Sequence, residues 1–534
     1  MDPQTKDLLL FNARIMDGSA GKAFPGEVLI SGDRILCTGK KGEYTFSCCQ
    51  KIDCGNLVLA PGFIDAHSHS DLSLFAAPDA PSSIFQGVTT LITGNCGLSP
   101  FPVITEEVRE HLQQIYEKYN EKIQWNDFSG YAAELQKRSP AVNILPLCGH
   151  NTLKANIDGY DGRKNGKKED YISLVALLDK MLSQGAGGLS TGLLYIPGRT
   201  SENGELAALM GCLKKFNRIY ATHLRSEGKA LTEAVREAIA LAKCGSRKLQ
   251  ISHLKTSGRT FWHKLPEVFN CLEQAQKDGV LVTADRYPYT FSATSLSLVL
   301  PGQYEEMTDS AIREKLAADH AERERLAGEL DSSPRNWTEV LLADTQWEKM
   351  KSFRGKSIKE IADALRSTPG KTVLDILTAD APNAMGAFAG MSRENLAKIL
   401  QKDYVCCGSD ETSRPFDDSL GRSHPRNFGS FPRFFQLLCS LGFSQEEAVA
   451  RMTALPAKIF SLHDRGRIRE GCKADLVLFD PEKLDSNADF IHPHTKAEGI
   501  RAVIVNGCME DLEGNGKNTL RKRNGQVLKL KTAF

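Results

Sequence analysis

The sequence has little net charge and no long apolar run, and each of these absences excludes a class of protein. Its 67 lysine and arginine residues against 66 aspartate and glutamate residues leave a formal net charge of +1. This near-balance gives no chain-wide electrostatic reason to expect nucleic acid or a membrane surface as a partner. The uncharged stretches 80–105 and 287–304 are interrupted by glycine, proline and polar residues. Neither stretch therefore predicts a membrane-spanning helix of about 20 apolar residues.

The chain also lacks the marks of a secreted protein. Its amino-terminal stretch, MDPQTKDLLLF, has no basic segment followed by an apolar run, so we expect no secretory signal. The 14 cysteines are scattered over 534 residues, unlike the dense cysteine framework of small secreted domains. We therefore expect a reducing, cytoplasmic location, in which most cysteines are buried apolar side chains and a chemically active one is a metal ligand or a nucleophile.

Short apolar runs alternate with longer helical patterns through the middle of the chain. This alternation predicts β-α units around a parallel sheet, and eight such strands predict a closed (β/α)₈ barrel of the TIM type. The eight predicted strands are residues 63–69, 89–94, 143–149, 187–193, 219–224, 249–254, 281–287 and 404–410. In barrels of this class the chemistry takes place at the C-terminal ends of the strands.

The two ends of the chain differ from its middle, because short strand patterns there are separated by glycine and aspartate turns. We expect residues 1–61 and 464–534 to form one small β-sandwich beside a barrel of residues 62–463. The segment 292–370 is rich in glutamate, lysine and arginine and is too long for a β-α connection. We therefore expect an α/β protein whose barrel carries a helical insertion at this segment.

Side chains that can bind a metal stand at the ends of several predicted strands. His67 and His69 are two residues apart, which places both side chains on one face of a strand. His223, His253 and Asp410 each close another apolar run. A barrel brings its strand ends together, so we expect these groups at one mouth. Imidazoles combined with a carboxylate or a thiolate suit zinc, and an open coordination position makes such a site catalytic.

Several longer motifs resemble one known family. They are APGFIDAHSHSD, GVTTLITGNCGLSP, STGLLYIPG, ATHLRSEG, ISHLK, GSDE and HPRNFGSFPR. Together they resemble the N-acyl-D-amino-acid deacylase (D-aminoacylase) family of the amidohydrolase superfamily, from the first strands to about residue 507. The resemblance implies a (β/α)₈ barrel with a small β-sandwich and a zinc-dependent hydrolysis of the amide bond in N-acylated D-amino acids.

Cys96, in the motif TGNCG, stands where the commoner superfamily pattern supplies a carboxylated lysine between two metals. The family that the chain resembles uses this cysteine as a metal ligand, and a thiolate binds zinc at about 2.3 Å. The alternatives are a buried free cysteine and a nucleophile, for which the flanking sequence offers no nearby base. The expected ligands of one tightly bound zinc ion are Cys96, His223 and His253. A second, weaker site is expected beside His67, His69 and Asp410.

The expected reaction uses zinc to lower the pKa of a bound water to about 7, which makes hydroxide the nucleophile. Asp410 is expected to take the water proton as general base and to deliver it to the leaving amine as general acid. The free α-carboxylate of an N-acyl amino acid requires positive or hydroxyl donors at the mouth. The resemblance favours Lys255, Tyr195 and Tyr287 for this role. Two further candidates for substrate binding are Arg286 and His150.

Two other functions remain open at this point. A cyclic-amide hydrolase of the hydantoinase or dihydropyrimidinase type shares the strand-end histidines, but normally has the bridging lysine that Cys96 replaces here. A non-catalytic scaffold with the same fold is the second alternative, although no position of the proposed ligand set is missing. For either enzyme the expected partner is a small molecule, with neither nucleic acid nor membrane involved.

Overall fold

The computed structural model describes residues 7–40, 50–117, 119, 121–160, 168–304, 307–512 and 523–531. In chain order its strands are β1 (Leu8–Ile15), β2 (Phe24–Ser31), β3 (Arg34–Lys40), β4 (Gln50–Asp53), β5 (Val58–Pro61), β6 (Phe63–Asp65), β7 (Val88–Thr93), β8 (Asn143–Pro146), β9 (Cys148–Gly149), β10 (Gly188–Gly192), β11 (Ile219–His223), β12 (Lys248–Ile251), β13 (Leu281–Arg286), β14 (Phe291–Ser295), β15 (Val340–Asp344), β16 (Met385–Ala389), β17 (Val405–Cys407), β18 (Leu476–Phe479), β19 (Ile500–Val505) and β20 (Cys508–Asp511).

The α-helices of the same ranges are α1 (Ser73–Ala76), α2 (Pro81–Ile84), α3 (Glu106–Glu117), α4 (Phe128–Lys137), α5 (His150–Asp158), α6 (Lys168–Ser183), α7 (Asn203–Phe216), α8 (Leu231–Cys244), α9 (Leu265–Lys277), α10 (Asp309–Ala318), α11 (His320–Ser332), α12 (Glu348–Lys351), α13 (Ile358–Leu365), α14 (Pro369–Asp380), α15 (Arg393–Leu400), α16 (Arg426–Ser440), α17 (Gln445–Met452) and α18 (Ala454–Ile459). Across these described ranges, no helix combines the length and the apolar character needed to cross a membrane.

A closed ring of parallel strands forms the centre of the molecule. β6, β7 and β8 pair in one parallel sheet, and β9, β10, β11, β12, β13 and β17 pair in a second. Only Leu147 separates β8 from β9, so these two pieces fill one strand position. The ring closes between β17 and β6, where Ala66 N donates to Cys407 O at 3.2 Å and Asp410 N donates to His67 O at 2.8 Å. The predicted (β/α)₈ barrel and its eight strand positions are confirmed.

The barrel strands are short and deeply buried, which explains why they read as continuous apolar runs. Every residue of β7, β10 and β11 is buried, as expected for parallel strands that helices cover from outside. The strands β6, β12 and β17 end three or four residues earlier than the sequence predicts. His253 after β12 and Asp410 after β17 have φ angles of 36° and 53°. A backbone in this left-handed region cannot continue a strand.

Strands from both ends of the chain form one sheet beside the barrel. Its order is β20-β19-β18-β5-β1-β2-β3, and β4 pairs in parallel with β1. The two chain ends meet where Val477 of β18 lies opposite Ala60 of β5 in antiparallel register. A separate group of buried apolar side chains, including Leu10, Ile30 and Ile504, packs within this unit. The predicted pairing of the two ends is confirmed, whereas the residue limits predicted for the domains stay a prediction.

The chain between β13 and β17 leaves the barrel and forms an inserted unit. Helices α10, α11, α13 and α14 pack there around buried side chains that include Leu316, Leu326 and Leu374. The expected helical segment, 292–370, also contributes to an antiparallel sheet of β14, β16 and β15, and β16 extends the unit to Ala389. β14 is half-buried along its whole length, so its sequence lacks the apolar alternation that predicts a strand.

Candidate metal centre and active site

A thiol and three imidazoles meet at the C-terminal mouth of the barrel. Cys96 Sγ lies 3.4 Å from His67 Nε2, 3.6 Å from His223 Nδ1 and 3.6 Å from His253 Nε2. Around a tetrahedral zinc ion, with bonds of about 2.3 Å to sulfur and about 2.0–2.1 Å to nitrogen, neighbouring sulfur and nitrogen ligands are about 3.6 Å apart. The spacing of these side chains therefore fits a set of zinc ligands.

A second group of possible ligands shares His67 with the first. The Nε2 atoms of His67 and His69 are 3.3 Å apart, and Asp410 Oδ1 lies 3.4 Å and 3.3 Å from them. Around one zinc ion, nitrogen and oxygen ligands are about 3.4 Å apart by the same geometry. The ligand atoms of His67, Cys96, His253 and Asp410 all lie within 4.8 Å of one another. The two groups are therefore adjacent parts of one centre.

The backbone is strained at three of these positions. The φ angle is 52° at Cys96, 36° at His253 and 53° at Asp410. Side chains other than glycine seldom adopt this left-handed region, and each such residue costs on the order of 1–3 kcal/mol. Strain of this kind persists where the surrounding structure fixes the backbone, as the Asp410 N to His67 O hydrogen bond of 2.8 Å does here. The presence of three such residues among the candidate ligands supports a functional role for this centre.

The charges around the centre favour an ionised thiol and an ionised carboxyl. Burial by itself raises the pKa of the Cys96 thiol, but the neighbouring imidazoles, His67 foremost, hold this pKa well below its usual value. Burial likewise raises the pKa of the Asp410 carboxyl, but nearby positive charges, Arg426 foremost, hold it well below its usual value. Both groups are thus in the deprotonated form that a metal ligand requires.

Two carboxylates that the sequence analysis missed contact the imidazole nitrogens that face away from Cys96. Asp285 Oδ1 lies 3.2 Å from His67 Nδ1 and accepts a hydrogen bond from His253 N at 2.8 Å. Glu227 Oε1 lies 3.0 Å from His253 Nδ1. Carboxylates in this position orient metal-binding histidines and raise their basicity. A signal was present in the sequence, because Glu227 follows the strand-end His223 by four residues and Asp285 lies near the end of β13.

Arg426 is a third residue without a role in the sequence analysis. It begins α16 within the motif HPRNFGSFPR, which indicated the family without indicating what this arginine contacts. Its Nη1 donates to Asp410 Oδ2 at 2.9 Å and its Nε to Glu411 Oε1 at 3.3 Å. The buried guanidinium therefore holds the predicted general base from the side opposite to the imidazoles, which face Asp410 Oδ1.

Lys255 and Tyr195, two of the residues predicted to bind substrate, lie against the histidines of the centre. Lys255 Nζ donates to Glu227 Oε1 and lies 2.8 Å from His253 Nδ1. Tyr195 is 40% exposed, and its ring meets the His223 ring edge-on with 4.8 Å between centroids. The positive charge of Lys255 is therefore partly neutralised by the Glu227 carboxylate, whereas the Tyr195 side chain is accessible at the mouth of the barrel.

Tyr287 and Arg286, two further candidates, lie together beside Arg426. Both guanidinium groups stand over the Tyr287 ring, with their Cζ atoms 4.1 Å and 4.5 Å from its centroid. The Tyr287 hydroxyl is buried and has no hydrogen-bond partner among the described residues. Burial raises its pKa, but positive charges, Lys255 foremost, outweigh this effect and lower the pKa below its usual value. Arg286 Nη2 donates to Tyr289 O at 2.6 Å, so it lies behind the tyrosine.

His150, the last candidate, lies in a buried cluster of its own. Its Nε2 lies 2.8 Å from Glu205 Oε1 and 3.4 Å from Ser201 Oγ. Lys154 Nζ donates to the other oxygen of Glu205 at 2.8 Å and to Asp158 Oδ2 at 2.6 Å. None of the described contacts of His150 joins it to a candidate metal ligand. Its assignment to substrate binding stays a prediction that these contacts do not support.

Comparison with known proteins identifies the family. The amidohydrolase family model matches residues 50–321 and 440–509, which is more than half of the chain. The chain belongs to the amidohydrolase family. A D-aminoacylase of Alcaligenes xylosoxydans xylosoxydans is 30% identical to this amidohydrolase over 95% of each chain. A second relative is an N-acyl-D-glutamate deacylase from Bordetella bronchiseptica, whose crystal structure contains zinc and a phosphonate inhibitor. Its sequence is 26% identical to this chain, and the two structures superpose with a TM-score of 0.80 over 98% of this chain and 100% of that one.

The predicted resemblance to the deacylase group of amidohydrolases is therefore confirmed. A dihydropyrimidinase from Brevibacillus agri covers 99% of each chain with a TM-score of 0.57 and 15% identity. This likeness shows the fold alone. The deacylases share both sequence and structure with this amidohydrolase, whereas the dihydropyrimidinase shares only its architecture.

Proposed function

We propose that this chain hydrolyses the amide bond of N-acyl-D-amino acids and releases a carboxylate and the free D-amino acid, with zinc as its cofactor. The similarity to deacylases over nearly the whole chain supports this function. The observation that carries it is the position of Cys96 Sγ, 3.6 Å from both His223 Nδ1 and His253 Nε2. This arrangement suits a zinc ion held by one thiolate and two imidazoles with one coordination position left open.

The residues assigned to the tight zinc site are Cys96, His223 and His253. A second, weaker metal is assigned to His67, His69 and Asp410, whose ligand atoms are also at the spacing that one ion requires. When bound, zinc supplies a Lewis acid that activates a water molecule and polarises the amide carbonyl. Glu227 and Asp285 orient the imidazoles by contacting the nitrogens that face away from the centre.

Asp410 is the proposed general base and general acid. Arg426 keeps its carboxylate ionised and held through Oδ2, so it is ready to accept the proton of the attacking water. The protonated carboxyl then delivers this proton to the leaving nitrogen, because expulsion of an unprotonated amine has a prohibitive barrier. One side chain thus serves both proton transfers without leaving the mouth of the barrel.

The substrate α-carboxylate is assigned to Lys255, Tyr287 and Tyr195. Glu227 already shares the charge of Lys255, so the hydroxyl of Tyr287, which lacks a partner among the described side chains, is the strongest available donor. Arg286 contributes positive charge from behind the ring of Tyr287. A hydroxyl in a positive field binds a carboxylate through a charge-assisted hydrogen bond.

The test is an amine-release assay on paired N-acetyl-D- and N-acetyl-L-amino acids, with glutamate, aspartate and methionine as side chains. We expect release from the D isomers, loss of activity with a chelator and recovery on adding zinc. Hydantoin and dihydrouracil serve as cyclic controls in the same assay conditions. Ring opening without linear amide hydrolysis would replace this proposal by the cyclic-amide function, and a chain with neither activity nor zinc would be a scaffold.

We also propose a cytoplasmic location. Ten cysteines of the described ranges are free thiols, including the neighbouring pair Cys406 and Cys407. Free thiols in this number are typical of a reducing compartment. Fractionation of cells that express the chain natively tests the proposal, and recovery from the secreted fraction contradicts it.

A further inference from the structure

A basic cavity lies at the end of the barrel opposite to the metal centre. It has a volume of about 470 Å³ and is lined by residues of α17, α18 and the loop that leads from α18 to the terminal sheet. Asp403, one of its lining residues, comes just before β17. The cavity is therefore at the N-terminal ends of the strands, whereas Cys96 and Asp410 follow the C-terminal ends of β7 and β17. It forms no part of the proposed active site.

The lining of this cavity carries an excess of positive charge. The cationic side chains of the lining are Arg451, Lys458, Arg465, Arg467 and Arg469, and its single carboxylate is Asp403. Arg465 is neutralised by a buried ion pair with Asp475. Arg451, Lys458, Arg467 and Arg469 form no ion pair with any described residue. Several positive charges therefore face one carboxylate across this cavity, and their mutual repulsion costs free energy unless an anion is present.

Two buried donors, one lining this cavity and one lining an adjoining cavity, have no hydrogen-bond partner in the described part of the chain. Arg451 is 6% exposed, and its Nε donates to Val405 O at 2.9 Å, but its Nη1 has no partner. An adjoining cavity of about 160 Å³ shares Lys458 and is lined by Tyr404, whose buried hydroxyl also has no partner. Each unsatisfied buried donor costs about 1–3 kcal/mol, a cost that an accepting ligand removes.

We propose that this cavity binds a small phosphorylated molecule of about the size of a mononucleotide. A guanidinium group can form bidentate hydrogen bonds to two oxygens of a phosphate. Several converging cations also favour a doubly charged phosphate over a singly charged carboxylate. The apolar part of the lining, Ala454, Leu455 and Leu462, suits the organic portion of such a ligand. A volume of about 470 Å³ is within the range of sites that bind small molecules.

The test is isothermal titration calorimetry of the zinc-loaded chain with AMP, inorganic phosphate and adenosine. We expect AMP to bind with a Kd below about 1 mM, inorganic phosphate to bind more weakly and adenosine not to bind. The affinity for AMP should fall as ionic strength rises, because the contact is electrostatic. Absence of AMP binding below about 1 mM, or adenosine binding as tight as that of AMP, overturns the proposal.

A pair of charge-matched variants tests the location. Arg467→Glu with Arg469→Glu changes two exposed lining residues, and Lys214→Glu with Lys371→Glu makes the same charge change at exposed positions elsewhere. We expect the first pair to weaken AMP binding at least about tenfold and the second to change it less than about twofold, with deacylase turnover unchanged in both. Equal weakening by the two pairs, or none by the first, overturns the proposal.

A buried variant gives a second measurement at the same cavity. Arg451→Gln removes the guanidinium that carries the unpartnered Nη1, and its thermal midpoint shows whether the fold survives. In a folded variant we expect AMP affinity to fall at least about tenfold. Wild-type affinity in that variant overturns the role of Arg451. If the variant does not fold, the result for Arg467→Glu with Arg469→Glu decides the location of the site.

Discussion

The Nη1 atom of Arg426 lies 2.9 Å from Asp410 Oδ2, while Oδ1 of the same carboxylate faces the Nε2 atoms of His67 and His69 at 3.4 Å and 3.3 Å. The carboxylate is thus held on one side by a guanidinium and on the other by two imidazoles. Burial by itself raises the pKa of this carboxyl, but the nearby positive charges, Arg426 foremost, keep it well below its usual value. A proton acceptor that is ionised and fixed before substrate arrives needs little reorganisation during the reaction.

Replacing Asp410 with asparagine removes the proposed proton acceptor and keeps the size of the side chain. We expect Asp410→Asn to retain its fold and tight zinc while kcat falls about 10²–10⁴-fold, since general acid-base catalysis contributes that much. Steady-state kinetics with D substrates, together with metal analysis and circular dichroism, measure this. Asp417→Asn, at an exposed helix cap, is the matched control and should keep turnover. Near-normal turnover in Asp410→Asn would refute the acid-base role.

Removing the thiol of Cys96 tests the tight zinc site. We expect Cys96→Ala to lose the zinc ion, about one per chain, because the thiolate supplies the negative charge that the two neutral imidazoles lack. Cys212→Ala removes another buried thiol, which contacts only Val175 O in its described hydrogen bonds, and should keep its zinc. Elemental analysis after dialysis against a weak chelator distinguishes the two. Full zinc content in Cys96→Ala contradicts the ligand assignment.

Glu227 tests whether the carboxylate behind His253 matters to the metal. Glu227 Oε1 lies 3.0 Å from His253 Nδ1, so Glu227→Gln leaves the imidazole less firmly oriented and less basic. We expect zinc affinity to weaken about 10–100-fold, the usual effect of losing such a partner, while kcat at saturating zinc falls less. Competition with a chromophoric chelator measures the Kd. Glu233→Gln, an exposed residue in the first turn of α8, should leave it unchanged, and equal affinity in both variants argues against an orienting role.

The buried cluster around His150 predicts a dependence of stability on pH. Burial raises the pKa of the Glu205 carboxyl, but hydrogen bonds and charge from His150 and Lys154 outweigh it and lower the pKa from 4.5 to about 2. A carboxyl with a lowered folded-state pKa stabilises the fold fully above its unfolded pKa. This stabilisation is lost as the pH falls from about 4.5 towards about 2.

For Glu205→Gln we therefore expect a lower Tm than the wild type at neutral pH, reflecting on the order of 3 kcal/mol. The difference in Tm should shrink as the pH falls from about 5 towards about 2, because the wild-type carboxyl is protonated first in the unfolded chain, below about 4.5, and in the folded chain only near 2. Scanning calorimetry across this range measures the change. A difference that stays constant with pH shows that the cluster does not depend on the charge of Glu205.

Much of the barrel and of the metal centre could be predicted from the sequence, because the relevant signals are local. Each barrel strand is a short buried run that ends in a turn, so eight runs separated by helical patterns indicate eight strand positions. Cys96, His223 and His253 lie at or near the ends of such runs, where a barrel collects functional groups. In the inserted unit, β14 was not predicted because it is half-buried along its whole length and its sequence therefore shows no continuous apolar run.

The amino-acid sequence alone was sufficient to predict the strand positions, the family and the candidate thiol and imidazole ligands, since these depend on residue types and short spacings. The tertiary structure decided which groups touch. Only the closed ring brings Arg426 to Asp410, Asp285 to His67 and Glu227 to both His253 and Lys255, and only helix packing encloses His150 with Glu205. Such contacts depend on the distance between elements far apart in the chain, which residue type and local periodicity do not specify.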